Sequence, residues 1–178
     1  MSLKLWGVQA AETTLAFGCD EFAPQYEPWF RAVDVAAPAP TAFRWLCQMR
    51  VAPYSYDWID NYGRRSPGAL TPGVDDLATG QTWMTIFELA GFVPGEQVTL
   101  HMAERRARAL FGDIYVTYLV RDLGAGRARL VAKLAVPPAR NVLERAFRPL
   151  LGGGDLIMMR RQLLNLAGHA ERQTANVG

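Results

Sequence analysis

The chain has 178 residues, half of them hydrophobic and a fifth charged, with 19 basic and 17 acidic side chains and a formal net charge of +2. That length suits one domain with a full core. The near balance of charge gives no electrostatic case for nucleic acid or an anionic membrane as the principal partner, and no apolar run is long enough to span a bilayer, so no integral membrane contact is expected.

In chain order, residues 1–28 read as an irregular N-terminal arm in which Trp6 and Phe17 cover part of the core. The A-F-G-C run at 16–19 has the outline of a lipoprotein cleavage site. Gln9, Glu12, Thr13 and Thr14 interrupt the apolar stretch such a site needs, so it reads as a chance match. Cys19 and Cys47 are the only cysteines. Two distant thiols make no disulfide framework, and a reduced, cytoplasmic chain is expected.

Trp29 to Val35 has strand composition and leads into the extended connector A-A-P-A-P. Thr41 is placed to cap a short helix carrying Phe43, Leu46 and Cys47 at helical spacing, and Pro53 stops it. The stretch from Trp45 to Tyr62 is the densest in large side chains with a polar handle: Trp45, Tyr54, Tyr56, Trp58 and Tyr62, with Asp57 and Asp60. Such residues suit a wall that is apolar inside and hydrogen-bonding at its edge. Ser55 to Tyr62 reads as a second short helix with Trp58, Ile59 and Tyr62 on one side and the two acids toward the rim. Residues 63–80 turn to Gly, Pro and charge: a long loop with a short strand near Leu70, of the kind that forms lids or mouths.

Four strand signals follow, at Gln81–Leu89, Val98–Met102, Ile114–Arg121 and Arg127–Val136, separated by turn residues. Short turns between strands imply an antiparallel meander. In the last strand Ala128, Leu130, Ala132, Leu134 and Val136 share one face, and Arg127, Arg129 and Lys133 the other. The charged face is expected to be wet, and the small alanines on the inner face to leave room beneath the sheet. Asn141 to Leu151 is helical in pattern. Gly152–Gly154 are expected to loosen or break it, with Asp155 capping a following amphipathic helix on Leu156, Met159, Leu163, Leu166 and Ala170. Arg161, Asn165, His169 and Arg172 take the opposite arc, and 174–178 is a frayed tail.

The chemistry is sparse. His101 and His169 are the only histidines and no ligand spacing accompanies them, so neither a metal nor another cofactor is expected. G-A-G at 124–126 belongs to a hairpin, and E-R-R-A-R at 104–108 reads as a solvated turn. Ser55, Ser66 and Cys47 have no neighbouring base. The candidates for proton chemistry are Asp57, Asp60, Arg64 and His101. His101 points away from Val98, Leu100 and Met102, so it lies outside if those three face the core.

V-D-V-A-A-P-A-P-T-A-F-R-W-L at 33–46 resembles the opening of the SRPBCC superfamily, the helix-grip proteins that include START domains, pollen allergens and polyketide cyclases. P-Y-S-Y-D-W-I-D-N at 53–61, G-D-L-I-M-M-R-R-Q-L-L-N-L at 154–166 and the start at Trp6, Gly7 and Glu12 resemble an uncharacterised bacterial branch of it. The resemblance implies an α+β helix-grip fold over residues 29–173, with two short helices after the first strand. A curved antiparallel sheet would wrap around the long C-terminal helix and enclose a hydrophobic cavity.

Three functions follow as expectations. The first is binding of a small hydrophobic or aromatic molecule, lined by Trp58, Tyr62, Arg64, Trp83, Phe87, Tyr118, Met159 and Gln162. The second is a polyketide cyclase or dehydratase using the four proton candidates. The third is an interaction or regulatory module with a dry core, which a homodimer would suit.

Overall fold

The computed structural model describes residues 3–56, 58 and 63–176. Its centre is an open seven-stranded sheet in the order β1-β2-β7-β6-β5-β4-β3. The strands are β1 (Leu5–Trp6), β2 (Glu27–Val35), β3 (Thr82–Trp83), β4 (Phe87–Val93), β5 (Gln97–Met102), β6 (Tyr115–Gly124) and β7 (Arg127–Val136). All pairs are antiparallel except β1 with β2. This is the meander that the short turns imply, extended by β2 lying beside β7. Among the described residues the α-helices spanning four or more residues are α1 (Cys19–Phe22), α2 (Ala39–Cys47), α3 (Arg105–Phe111) and α4 (Val142–Ala175). The long α4 lies across the inner face: the helix-grip arrangement.

The alternation of β7 sets both faces of the sheet. Ala128, Leu130, Ala132, Leu134 and Val136 enter the inner core with α2 and the second half of α4. The outer face is not wet as its charges suggest. The N-terminal arm covers it, through a 3₁₀ turn at Ala10–Thr14 and α1, and Phe17, Cys19 and Ala23 form a second core with Phe30, Ala32, Leu119, Val131 and Ala135. Two charges of β7, Arg129 and Lys133, are paired beneath it, while Arg127 at the strand's start is exposed. Arg129 Nε donates to Glu12 Oε1 at 2.7 Å and its Nη1 to Asp34 Oδ1 at 3.0 Å. Lys133 Nζ donates to Asp20 at 2.6 Å and sits over the rings of Phe17 and Phe30. Burial pushes the Glu12 carboxyl up, but hydrogen bonds from Arg129 and from the Gln9 N–H outweigh it and hold Glu12 below the usual carboxylate range. Gly7 makes the close approach possible: its φ is +68°, and a Cβ there would lie 2.1 Å from the Ala32 carbonyl oxygen.

Several local expectations are corrected. α2 begins at Ala39 with Pro38 as N-cap and Pro40 in its first turn, so Thr41 lies inside the helix and does not cap it. The second short helix expected over Ser55–Tyr62 falls largely outside the described residues. No strand forms near Leu70 among the described residues. Instead the loop is tied to the end of α2: Gln48 exchanges hydrogen bonds of 2.9 Å with Thr71, Arg50 donates to the carbonyls of Gly73 and Asp76, and Val74 is fully buried. The run Gln81–Leu89 splits into β3 and β4 because Met84 and Thr85 take positive φ, at 47° and 64°. The turn expected at 104–108 is the start of α3, capped by Glu104, whose carboxylate accepts from the Ala107 N–H at 2.6 Å.

The C-terminal helix is continuous for 34 residues, so Gly152–Gly154 do not break it and Asp155 is not a cap. It runs on to Ala175, into the stretch expected to fray. Asn141 is the N-cap, accepting from the Glu144 N–H at 2.9 Å. Tertiary contact outweighs the intrinsic cost of about 1 kcal/mol per glycine. Gly152 lies on Trp29 so closely that a Cβ would stand 3.1 Å from the ring, and Asp155 is held by Arg31 of β2. A Cβ added at Gly153 would meet nothing within 4 Å. Gly153→Ala is therefore expected to raise the unfolding free energy by about 0.5–1 kcal/mol, and Gly152→Leu to lower it, as read by urea denaturation.

Candidate functional site

The second half of α4 is packed down: Leu163, Leu166 and Ala170 are fully buried against the sheet and α2. Its first half meets the sheet at β2, through Gly152 and Asp155, and between it, α3 and the inner face of β4–β7 lies a cavity of about 910 Å³. That volume lies at the upper end of the range for small-molecule sites. The walls are mostly apolar. β4 gives Phe87, β5 Met102, β6 Val116, β7 Leu134 and Val136, and α4 Leu151, Met158 and Met159, while Leu110 and Phe111 of α3 stand at the mouth. A register shift in β4 between Leu89 and Gly91 marks an irregularity of the kind that bends a strand. Ala128 and Ala132 do not border the cavity. They lie in the packed core, so the room does not come from small residues on β7.

Two polar groups of the wall stand out. Tyr118 Oη donates to Gln162 Oε1 at 2.7 Å, and Gln162 Nε2 donates to the Pro53 carbonyl at 2.7 Å. Burial pushes the Tyr118 phenol well up, so it stays protonated. The other group is Asp155. Its Oδ2 accepts from Arg31 Nη2 at 3.0 Å, and Arg31 also donates to the carbonyls of Leu3, Lys4 and Phe30. Arg31 is wholly buried; the Asp155 side chain retains 27% exposure and borders the cavity. Burial pushes the Asp155 carboxyl up to about 6 against the opposing pull of Arg31.

A raised carboxyl favours the folded state fully below the ordinary aspartate range and loses that contribution as pH rises through about 6. The stability of the wild type minus that of Asp155→Asn is therefore expected to fall between pH 4 and pH 7, measured by denaturation at stepped pH. A flat difference would mean that Asp155 is solvated like a surface carboxylate.

Of the residues proposed from the sequence, Phe87, Tyr118, Met159 and Gln162 come together on the cavity wall. Trp83 is buried in the core and does not border the cavity; its indole N–H has no hydrogen-bond partner among the described residues. Trp58 is 75% exposed, Arg64 is exposed, and neither lines the cavity. His101 lies on the outer side, its Nε2 2.8 Å from Asp113 Oδ1 and its ring stacked on Tyr115. Asp57, Asp60 and Tyr62 lie outside the described residues. His169 stacks on Trp45 at 4.5 Å and Asn165 donates to the Tyr54 carbonyl, so the arc of α4 expected to face outward is partly engaged.

Sequence reasoning missed the Arg31–Asp155 pair. The signal was present: Arg31 shares strand parity with Trp29, Val33 and Val35, and an arginine on an inner face requires an acid partner. Among the described residues no group of acids, histidines and cysteines is arranged to hold a metal ion, and no helix is long and apolar enough to cross a membrane.

No protein-family model and no curated protein matches the sequence. Solved structures do. A protein from Thermobifida fusca, determined in solution by NMR, superposes with a TM-score of 0.55 at 13% identity, over 82% of this chain and 93% of that one. The Zhui aromatase/cyclase from Streptomyces sp. R1128 superposes with a TM-score of 0.46 at 19% identity, over 86% and 99%. The di-domain aromatase/cyclase BexL gives 0.48 at 12% identity, over 82% of this chain and 46% of that one. At 13% identity the likeness to the Thermobifida fusca protein is one of fold. The chain has the helix-grip fold, which the SRPBCC resemblance of its sequence fits.

Proposed function

We propose that this protein binds a small hydrophobic or aromatic molecule between its sheet and α4. The observation that carries the reading is the cavity of about 910 Å³, apolar on most of its wall, with a few polar groups aimed into it. That combination is the usual form of a small-molecule site. It also speaks against an interaction module with a dry core. Asp155 and the Tyr118–Gln162 pair would orient a ligand that carries a hydroxyl or carbonyl group. Two buried free thiols suit a reducing compartment, and the cytoplasm is the proposed location.

A second reading, a cyclase or dehydratase, is favoured by one observation. Asp155 borders the cavity, and burial raises its carboxyl to about 6, toward the range that suits a general acid or base. This role passes to Asp155 from His101, which faces the other side of the sheet.

Native mass spectrometry of the protein, purified without detergent and then incubated with a panel of aromatic and acyl compounds, tests the binding reading. A bound mass with one-to-one stoichiometry is expected. Failure to retain any of the panel, with no displacement of a fluorescent apolar probe, would sink it.

A further inference from the structure

Helix α4 is apolar on two opposite sides. Its inner side carries Met159, Leu163, Leu166 and Ala170. Its outer side carries Leu143 (67% exposed), Phe147 (53%), Leu150 (71%), Ile157 (58%) and Leu164 (42%). At about 100° per residue these five fall within roughly a 100° arc that faces away from the sheet. Leu110 and Phe111 of α3 are exposed at the same cavity mouth, where Leu150 also stands. Isolated exposed leucines need no explanation, but a continuous stripe that runs into the opening of a cavity does.

The charges on and near the stripe are mostly basic. Arg160 and Arg161 on α4 and Arg105 and Arg106 on α3 are exposed, and none has an ion-pair partner among the described residues. Arg161 falls within the arc of the stripe itself, and Arg160 lies beside it, over the Trp6 ring. The acids of α4 each have a partner within the chain: Glu144 the exposed Arg140, Asp155 the buried Arg31, and Glu171 the Ala36 N–H. A net charge of +2 over the whole chain thus conceals a face that is basic and apolar together. Two copies joined along it would set arginines against arginines, which disfavours self-association. An anionic surface with an apolar interior satisfies both features: arginines meet the headgroups, and Leu143, Phe147 and Leu150 enter the acyl boundary.

We infer that the outer side of α4, with the end of α3, is a docking face for an anionic phospholipid surface. Docking there sets the cavity mouth against the bilayer. Leu143, Phe147, Ile157 and Leu164 do not line the cavity, so docking is separable from cavity occupancy.

The test is co-sedimentation of the full chain with vesicles of phosphatidylcholine alone and of phosphatidylcholine mixed with phosphatidylglycerol. Binding to the mixed vesicles is expected, weakening as salt is raised. Arg105→Gln with Arg161→Gln should weaken it about tenfold or more. Leu143→Glu with Phe147→Glu should abolish it while leaving ligand retention in native mass spectrometry unchanged, since neither residue lines the cavity. Circular dichroism confirms that each variant is folded, and if the glutamate pair is not, the arginine pair decides. Equal binding to neutral and anionic vesicles, or none to either, overturns the inference. So does a concentration-dependent dimer that the glutamate pair dissociates in a protein that ignores vesicles, which would assign the face to a second copy.

Discussion

Glu12→Ala is expected to destabilise the fold by about 3–5 kcal/mol, the range for removing one partner of a buried ion pair. Glu12 and Arg129 are both almost wholly enclosed, at 2% and 6% side-chain exposure. Arg129 cannot shed its proton, so the substitution leaves a guanidinium in the outer core with only Asp34 and the Gly7 carbonyl to hold it. Asp34 is largely exposed and screens poorly as a sole partner. The pair is also what pins the N-terminal arm over β7, so the loss should show as early exchange of amides in the second core around Phe17 and Phe30. The double variant Glu12→Leu with Arg129→Met should recover most of the loss, because a matched apolar pair avoids the desolvation of both ions. The pH dependence has a definite sign. Glu12 is held below the usual range, so its contribution is present above about pH 4.3 and is lost as pH falls through the lower folded value. That is opposite to Asp155. Equilibrium urea denaturation of wild type and both variants, at pH 7 and pH 3, decides the matter. A loss under about 1 kcal/mol for Glu12→Ala would show that the arm is held by its apolar contacts alone.

Met158→Trp is expected to weaken retention of an apolar ligand at least tenfold while changing stability by about 1 kcal/mol or less. Met158 borders the cavity from α4 and is only half-buried, so a larger side chain extends into open volume rather than into packed atoms. Misfit in an apolar pocket is worth about 1–3 kcal/mol per methylene-sized change, or roughly 10–200-fold. Phe87→Ala should weaken binding through lost wall contact. Trp58→Ala should leave it unchanged, since Trp58 is exposed and does not border the cavity. Displacement of a fluorescent probe, measured on all three proteins with thermal melts as the control for folding, separates these outcomes. Unchanged affinity in Met158→Trp would place the ligand elsewhere.

These two experiments address features that differ in how far the sequence disclosed them. The period of two in β7 announces its inner residues, and all five do face the core. The period of the last helix likewise announces Met159, Leu163, Leu166 and Ala170. Turn residues at 93–96 and 123–126 make the meander legible, because each short connection admits only an antiparallel neighbour. Phe87, Tyr118, Met159 and Gln162 follow from parity and helical spacing on those elements. Trp83 does not reach the cavity because Met84 and Thr85 turn the chain between β3 and β4, a conformation that nothing in W-M-T-I signals. The charged side of β7 misleads for a related reason. Arg129 and Lys133 mark solvent only if nothing covers them, and the acids that pair with them, Glu12 and Asp20, lie more than a hundred residues away.

The sequence by itself determined the meander, the inner face of the sheet and the inner stripe of the last helix, since each depends on local period and turn chemistry. Only the tertiary structure decided that Gly152–Gly154 stay helical, because Trp29 and Arg31 come from a strand more than a hundred residues earlier. It decided where the volume lies as well. A cavity is the gap between elements, set by how α3 and α4 sit over β4–β7, and no residue encodes that placement alone. The acid facing that volume is Asp155, which local pattern assigns to a helix cap and long-range burial places on the cavity wall.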